Sequence, residues 1–302
     1  MGTLYHRCRR ACREDIQRAA PLWKADEALF DADVWRNLPE LLEDLWEHDL
    51  VSFAIIESIP SLVPRLFGGI SFVHAEYVTN ARASTSSTLP NFIFRAALRG
   101  ETPFLSPREV AKGNAEGTLN LMNFLGNIGA IDLTDPELAN FYATSNEGYL
   151  FLHSGYAYST MWAEVCHPDH AEELKAQGMD IDRQIVLPTG QVSTLMRLTA
   201  EEALARPFAR FSSLFFPPAP LFHFSHGEQR LIELALSEFS DEHAALEVHL
   251  SDDAVKKRWR SIYRKVDSVN PKLFNGAESG AMRRRTLLRY LRRHLEELRP
   301  FG

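Results

Sequence analysis

Three cysteines in 302 residues, Cys8, Cys12 and Cys166, are too few and odd in number to staple a chain of this size. A disulfide framework is therefore excluded as the source of its stability. No apolar run approaches the roughly 18 residues of a spanning helix, and the arginine-rich start, Met1 to Arg13, has no apolar signal core. These absences lead to the expectation of a cytoplasmic protein without a membrane partner. Internal repeats and low-complexity tracts are also missing, which excludes a solenoid. Positive charge is in deficit, with 33 Lys and Arg against 40 Asp and Glu. What remains is 45% hydrophobic residues, enough for buried cores, in a chain long enough for about two domains.

The net charge of −7 conceals an asymmetry. Residues 1–221 carry a net −10, whereas residues 251–302 carry 14 basic and 6 acidic side chains. A basic module on an acidic body predicts a polyanionic partner for one end only. The boundary is the aromatic stretch from Arg206 to Ser225, interrupted by Pro217, Pro218 and Pro220, which cannot continue a helix or a central strand. Its phenylalanines, Phe208, Phe211, Phe215, Phe216 and Phe222, predict docking against a domain. Two domains follow, residues 1–220 and 221–302.

In the first, Leu4 to Ala11 reads as a strand, and Arg13 to Trp23 and Val34 to Glu47 as helices. Val51 to Ile56 and Leu66 to Val73 form a hairpin. Helices follow from Asn91 and from Ser106-Pro107, and Leu119 to Ile128 is a buried strand. Thr134 starts a long helical region, and Ile181 to Leu187 and Val192 to Leu198 close the domain. Tyr149, His153, Tyr156 and Trp162 fall in the helical region as candidate lining of a ligand pocket, with Glu147 as a further polar contact; the same pattern suits a core. Cys166-His167-Pro168-Asp169-His170 lacks the second cluster a zinc site needs, so no metal is expected. Cys8 and Cys12 would share one face of a helix, among arginines that raise thiol acidity. Lys112 to Gly117 lacks the Gly-Lys-Ser/Thr ending of a phosphate loop and reads as a turn.

The second domain holds three helical stretches, Gly227 to Leu236, Asp241 to Val248 and Asp252 to Val266, separated by tight joints. In the third, Val255, Trp259, Ile262 and Val266 make an apolar stripe, while Lys256, Arg260 and Arg264 recur at i+4 steps beside Lys257. Ser240 and Ser251 are placed to cap the second and third helices. The stretch from Phe224-Ser225 through Ala244-Ala245 and Leu250-Ser251 to Lys265-Val266 resembles the LuxR-type helix-turn-helix. It departs from that family at Ala244, Ala254 and Arg258. The resemblance implies a dimeric transcription regulator, not an enzyme, that binds double-stranded DNA through Ser251, Lys256, Lys257, Arg260 and Arg264. Gly280 to Leu298 predicts one more helix, apolar on one side and arginine-rich on the other.

The opening Cys12-Arg13-Glu14-Asp15-Ile16, the hairpin FAIIES…RLFGGISFV and the strand LNLMNFLGNI resemble the GNAT acyltransferase fold. The expected fold class is therefore α+β: a GNAT-like, or PAS- or GAF-like, α/β sensory domain followed by an all-α helix-turn-helix domain. It would use no cofactor and sense a small-molecule effector or mediate dimerisation. GNAT enzymes hold the coenzyme A pyrophosphate on a basic, glycine-rich turn. Here the strand runs into GNIGAIDLTDPE, where Asp132 and Asp135 would repel phosphate. The alternative is a GNAT-like acyltransferase with a nucleic-acid- or protein-binding tail, binding coenzyme A near Gly126 to Asp135.

Overall fold

A computed structural model of the chain describes residues 5–126, 138–277 and 279–302. Strand β1 (Tyr5–Arg10) leads into helix α1 (Arg13–Ala19), which Pro21 converts to a 3-10 segment, Ala20–Leu29. Helix α2 (Ala32–Glu47) starts where the Asp31 carboxylate accepts the amides of Asp33 and Val34. Its buried residues, Val34, Leu38, Leu42 and Leu45, recur at helical spacing. Strands β2 (Val51–Ile59) and β3 (Val63–Phe72) form the predicted hairpin.

Three helices follow: α3 (Ala75–Ala83), α4 (Leu89–Leu98), capped by Thr88, and α5 (Pro107–Glu116), whose Ser106 and Glu109 form a capping box. Of the residues read as a turn, Lys112 to Gly117, those up to Glu116 belong to α5, and Gly117 caps it at φ +69°. Strand β4 (Leu119–Phe124) precedes α6 (Leu138–His153). The proposed start of that helix at Thr134 lies outside the described residues. Strand β5 (Tyr158–Val165), α7 (Pro168–Ala176), β6 (Asp180–Val186), β7 (Val192–Thr199) and α8 (Ala200–Ala205) complete the body.

The strands form one seven-stranded sheet in the order β1-β2-β3-β4-β5-β7-β6. All neighbours are antiparallel except β4 and β5, which are parallel and joined through α6. Both faces are covered. Phe53, Ile55, Phe67 and Phe124 pack under α1, α2 and α4 on one side. On the other, Ala54, Ile70, Leu121 and Met161 pack with Leu152 of α6, Phe211 and Phe215. This is the mixed α+β, GNAT-like arrangement rather than a PAS or GAF one.

Residues 222–302 supply α9 (His226–Leu236), α10 (Asp241–Glu247), α11 (Asp252–Val269) and α12 (Gly280–Leu291) around a third core containing Val255, Trp259, Ile262 and Val266. The stretch Gly280 to Leu298 is not one helix, since α12 ends at Leu291 and a 3-10 turn spans Leu295–Leu298. The helices are also tied to the body. Arg10 of β1 pairs with Glu233 of α9, and His226 lies 3.1 Å from Asp49. Asn114 of α5 donates to the carbonyl of Pro300, and Arg299 donates to the carbonyls of Phe151 and Ser154 at the end of α6. Of the boundary phenylalanines, Phe211, Phe215 and Phe222 are buried, while Phe208 and Phe216 are exposed.

Candidate active site

The parallel pair β4–β5 comes apart. Its ladder ends at Asn123 and Ala163. Beyond that point Phe124 stays with β3 through Gly69, while Glu164 and Val165 stay with β7 through Leu195 and Thr194. The sheet therefore splits at the carboxyl ends of its two parallel strands, the place where open sheets with crossover helices hold ligands. Leu125, at φ +53°, turns the chain sharply out of β4 there; a left-handed backbone is costly for a side chain of this size.

A cavity of about 250 Å³ occupies the split and continues beneath α6. Asp26 and Glu164 line it, as do Tyr149, Leu152 and His153 of α6 and Ala54 of β2. Asn123 ties its root together: the side-chain amide donates to the carbonyl of Trp162 at 2.9 Å, and Oδ1 lies 2.5 Å from Nε2 of His153. His153 Nδ1 is 2.7 Å from the carbonyl of Tyr149. Both neighbours are acceptors, and a neutral imidazole has one N–H to give. Burial holds the ring neutral, bringing its pKa down to about 3. Tyr149 stacks between His153 and Phe211, with centroids 3.7 and 4.7 Å away, and burial pushes its phenol well above the usual range.

Glu164 is a buried acidic group in the wall of this cavity. It is 7% exposed. Its carboxylate accepts the amide of Leu89, in the first turn of α4, and the Ser193 hydroxyl at 2.7 Å. Burial nevertheless raises its pKa above the ordinary carboxylate value. A buried carboxyl with a raised pKa on a cavity wall is suited to take and return a proton.

Of the four residues expected to line a pocket, Tyr149 and His153 line this cavity. Trp162 does not, because residues 158–165 are a strand rather than a continuation of the helix. Trp162 points into the opposite core under Arg82, with its indole N–H buried and unpaired. Tyr156 lines a second cavity of about 60 Å³ beside Arg10 and lies under the Arg299 guanidinium. Glu147 is exposed and does not line the main cavity. Asn123, Glu164 and Asp26 were missed; a lone polar side chain within an apolar strand was the available signal for the first two.

Lys256, Lys257, Arg260 and Arg264 are exposed on α11, and the Ser251 hydroxyl accepts the Ala254 amide as the helix cap. Cys8 and Cys12 do not share a helix: the first is in β1 and the second caps α1, and burial pushes both thiols up to about 12. Among the described residues, the donors of the Cys166 to His170 run join no metal-ligand group of three; Cys12, Glu14 and Glu247 are the one such group. No described helix is long and apolar enough to cross a membrane. The segment expected to hold coenzyme A lies outside the described residues apart from Gly126.

The sheet order and the split define a GNAT-like fold. No protein-family model matches the sequence, and no curated protein does. Solved structures similar to the chain include FeeM, an N-acyl amino acid synthase from uncultured soil microbes. It shows 13% identity and a TM-score of 0.39, with 67% of this chain and 94% of that one covered. A Desulfovibrio desulfuricans protein assigned to the GNAT acetyltransferases shows 9% identity and a TM-score of 0.35, covering 64% and 98%. A spermidine N-acetyltransferase chimera of Vibrio cholerae and human sequences shows 10% identity and a TM-score of 0.36, covering 67% and 99%.

The expectation of a LuxR-type DNA-binding regulator is thereby corrected. The helices of residues 222–302 are packed on the body, Arg10 against Glu233 and His226 against Asp49, and the sheet parts over a cavity at the ends of β4 and β5. The expectation that the chain is not an enzyme is corrected on the same grounds.

Proposed function

We propose that the chain is an acyltransferase that moves an acyl group from a thioester to an amine. The observation that carries this reading is the split between β4 and β5, which opens on a largely apolar cavity with the buried carboxyl of Glu164 in its wall. Past Asn123 and Ala163 the facing strand edges no longer pair with each other. Unpaired backbone groups at such edges suit the amides of an extended thioester arm.

The step balances without a further reactant. The amine nitrogen attacks the thioester carbonyl carbon, the C–N bond forms, the C–S bond breaks, and the thiolate leaves. Glu164 takes the proton that the nitrogen, positively charged once the C–N bond has formed, must lose, and that proton passes to the departing sulfur. Its raised pKa brings the carboxyl closer to the working pH, where proton transfer is most effective.

The test is thiol release from acetyl- and octanoyl-coenzyme A in the presence of amino acids and polyamines, followed colorimetrically, with products identified by mass. Glu164→Gln is expected to slow transfer by roughly 10²–10⁴-fold. Absence of thiol release with every amine, together with no thermal stabilisation by any thioester, would refute the reading.

A further inference from the structure

We infer that the cavity accepts a medium- to long-chain acyl group rather than acetyl alone, an inference that rests on the acyl-transfer reading above. The cavity does not stop at the split. It passes beneath β3 and reaches β2, where Ala54 and Ile56 line it. With strands about 4.8 Å apart, β2 lies about 10 Å from β4 across the sheet. An acetyl group held at the split would leave that distance empty.

The floor is built low. Ala54 pairs directly with Gly68, and Ile56 with Leu66, so a methyl group faces a residue with no side chain where the channel runs. Among the described residues, a Cβ placed on Gly68 would find its nearest neighbours at 3.8 Å, the Leu66 side chain, and 3.9 Å, the Gly126 backbone. Among these residues Gly68 leaves volume rather than serving a tight contact. Close approach occurs instead on α6: a Cβ on Gly148 would sit 2.7 Å from the Cys8 sulfur, so the helix is held tightly against β1.

The chemistry of the walls is suited to hydrocarbon. Leu152 and the Tyr149 ring face Ala54, Ile56 and Leu66 across the space, while the carboxyl of Glu164 belongs to the split end. A water molecule takes about 30 Å³ in the liquid and a methylene is of similar size, so a cavity of about 250 Å³ exceeds an acetyl group several-fold. Apolar walls of this kind gain affinity with each methylene buried.

The experiment is calorimetric binding of acetyl-, butyryl-, octanoyl- and dodecanoyl-coenzyme A to the full chain, wild type and Gly68→Leu, with thiol release measured in parallel. Octanoyl-coenzyme A is expected to bind at least ten-fold more tightly than acetyl-coenzyme A, with that ratio falling below three-fold in Gly68→Leu. Should Gly68→Leu not fold, Leu66→Trp obstructs the same stretch from the neighbouring side chain, with the same ratio expected to collapse. Equal affinity for acetyl and octanoyl thioesters, with transfer intact, would overturn the chain-length inference and leave acyl transfer standing. Failure to bind a thioester of any length would overturn both.

Discussion

Arg299 donates its Nε proton to the carbonyl of Ser154 at 2.9 Å, joining the last residues of the chain to the end of the helix that roofs the cavity. A second nitrogen donates to the Phe151 carbonyl, and Nη1 lies 3.1 Å from Glu233. The guanidinium thus satisfies carbonyls that the end of α6 leaves without helical partners and places positive charge at the helix's negative pole. It is 4% exposed. Arg299→Met is expected to cost about 3–5 kcal/mol, since it leaves those acceptors and part of the Glu233 charge buried without a donor. Arg299→Lys is expected to recover less than half, because an ammonium cannot span the three acceptors. Urea denaturation of both variants measures this.

His153 makes stability depend on acid. Its pKa is about 3 in the folded chain and about 6.5 when unfolded, so the unfolded chain binds the extra proton first. The stabilisation is complete above pH 6.5 and is lost as pH falls through that window toward 3, at up to about 1.4 kcal/mol per pH unit. His153→Gln is expected to flatten this limb in chemical denaturation at successive pH values. An unchanged slope would contradict a neutral, buried ring.

Glu164 works in the opposite sense. Its folded pKa lies above the unfolded value, so its contribution is present below the unfolded carboxylate pKa and fades as pH rises through the folded one. Glu164→Gln is therefore expected to be less destabilising at neutral pH than at pH 4, with Tm of variant minus wild type rising with pH. A difference that falls with pH would show that the carboxylate is stabilised in its ionised form.

Two adjacent glycines should respond differently to one methyl group. A Cβ on Gly69 would stand 2.7–2.8 Å from the rings of Phe124 and Phe53, whereas among the described residues one on Gly68 meets nothing closer than 3.8 Å. Gly69→Ala is expected to cost about 1–3 kcal/mol through overpacking, and Gly68→Ala less than about 0.5 kcal/mol. Thermal unfolding of the pair separates them.

Most of the sheet was legible because its strands are short, apolar and bounded by turn residues. Strand β5 was not. Tyr149, Tyr156 and Trp162 continue a helix-like spacing, which does not tell apart the two glycines able to interrupt it: Gly148 sits inside α6, and Gly155, at φ +91°, lies just past its end at His153. A residue that stops a helix by conformation alone leaves no mark in periodicity. Glu164 and Asn123 were hidden for another reason: each is a single polar residue among apolar neighbours in sequence, and only the parting of β4 and β5 gives it a cavity to face. The stripe Val255, Trp259, Ile262 and Val266 was read correctly as buried. Periodicity says which face of a helix is covered, and it is silent about what the other face meets, so the short helical joints were mistaken for a DNA-reading module.

The attachment at Arg299 also sets an order in time. The roof of the cavity is finished by a residue far along the chain from α6, so a nascent chain that has emerged only as far as that helix lacks the contact. Chains stalled before residue 299 clears the exit tunnel are expected to keep the end of α6 open to protease, and chains stalled well beyond it to have that end closed. Assembly of the cavity thus waits for the helices of residues 222–302 to emerge.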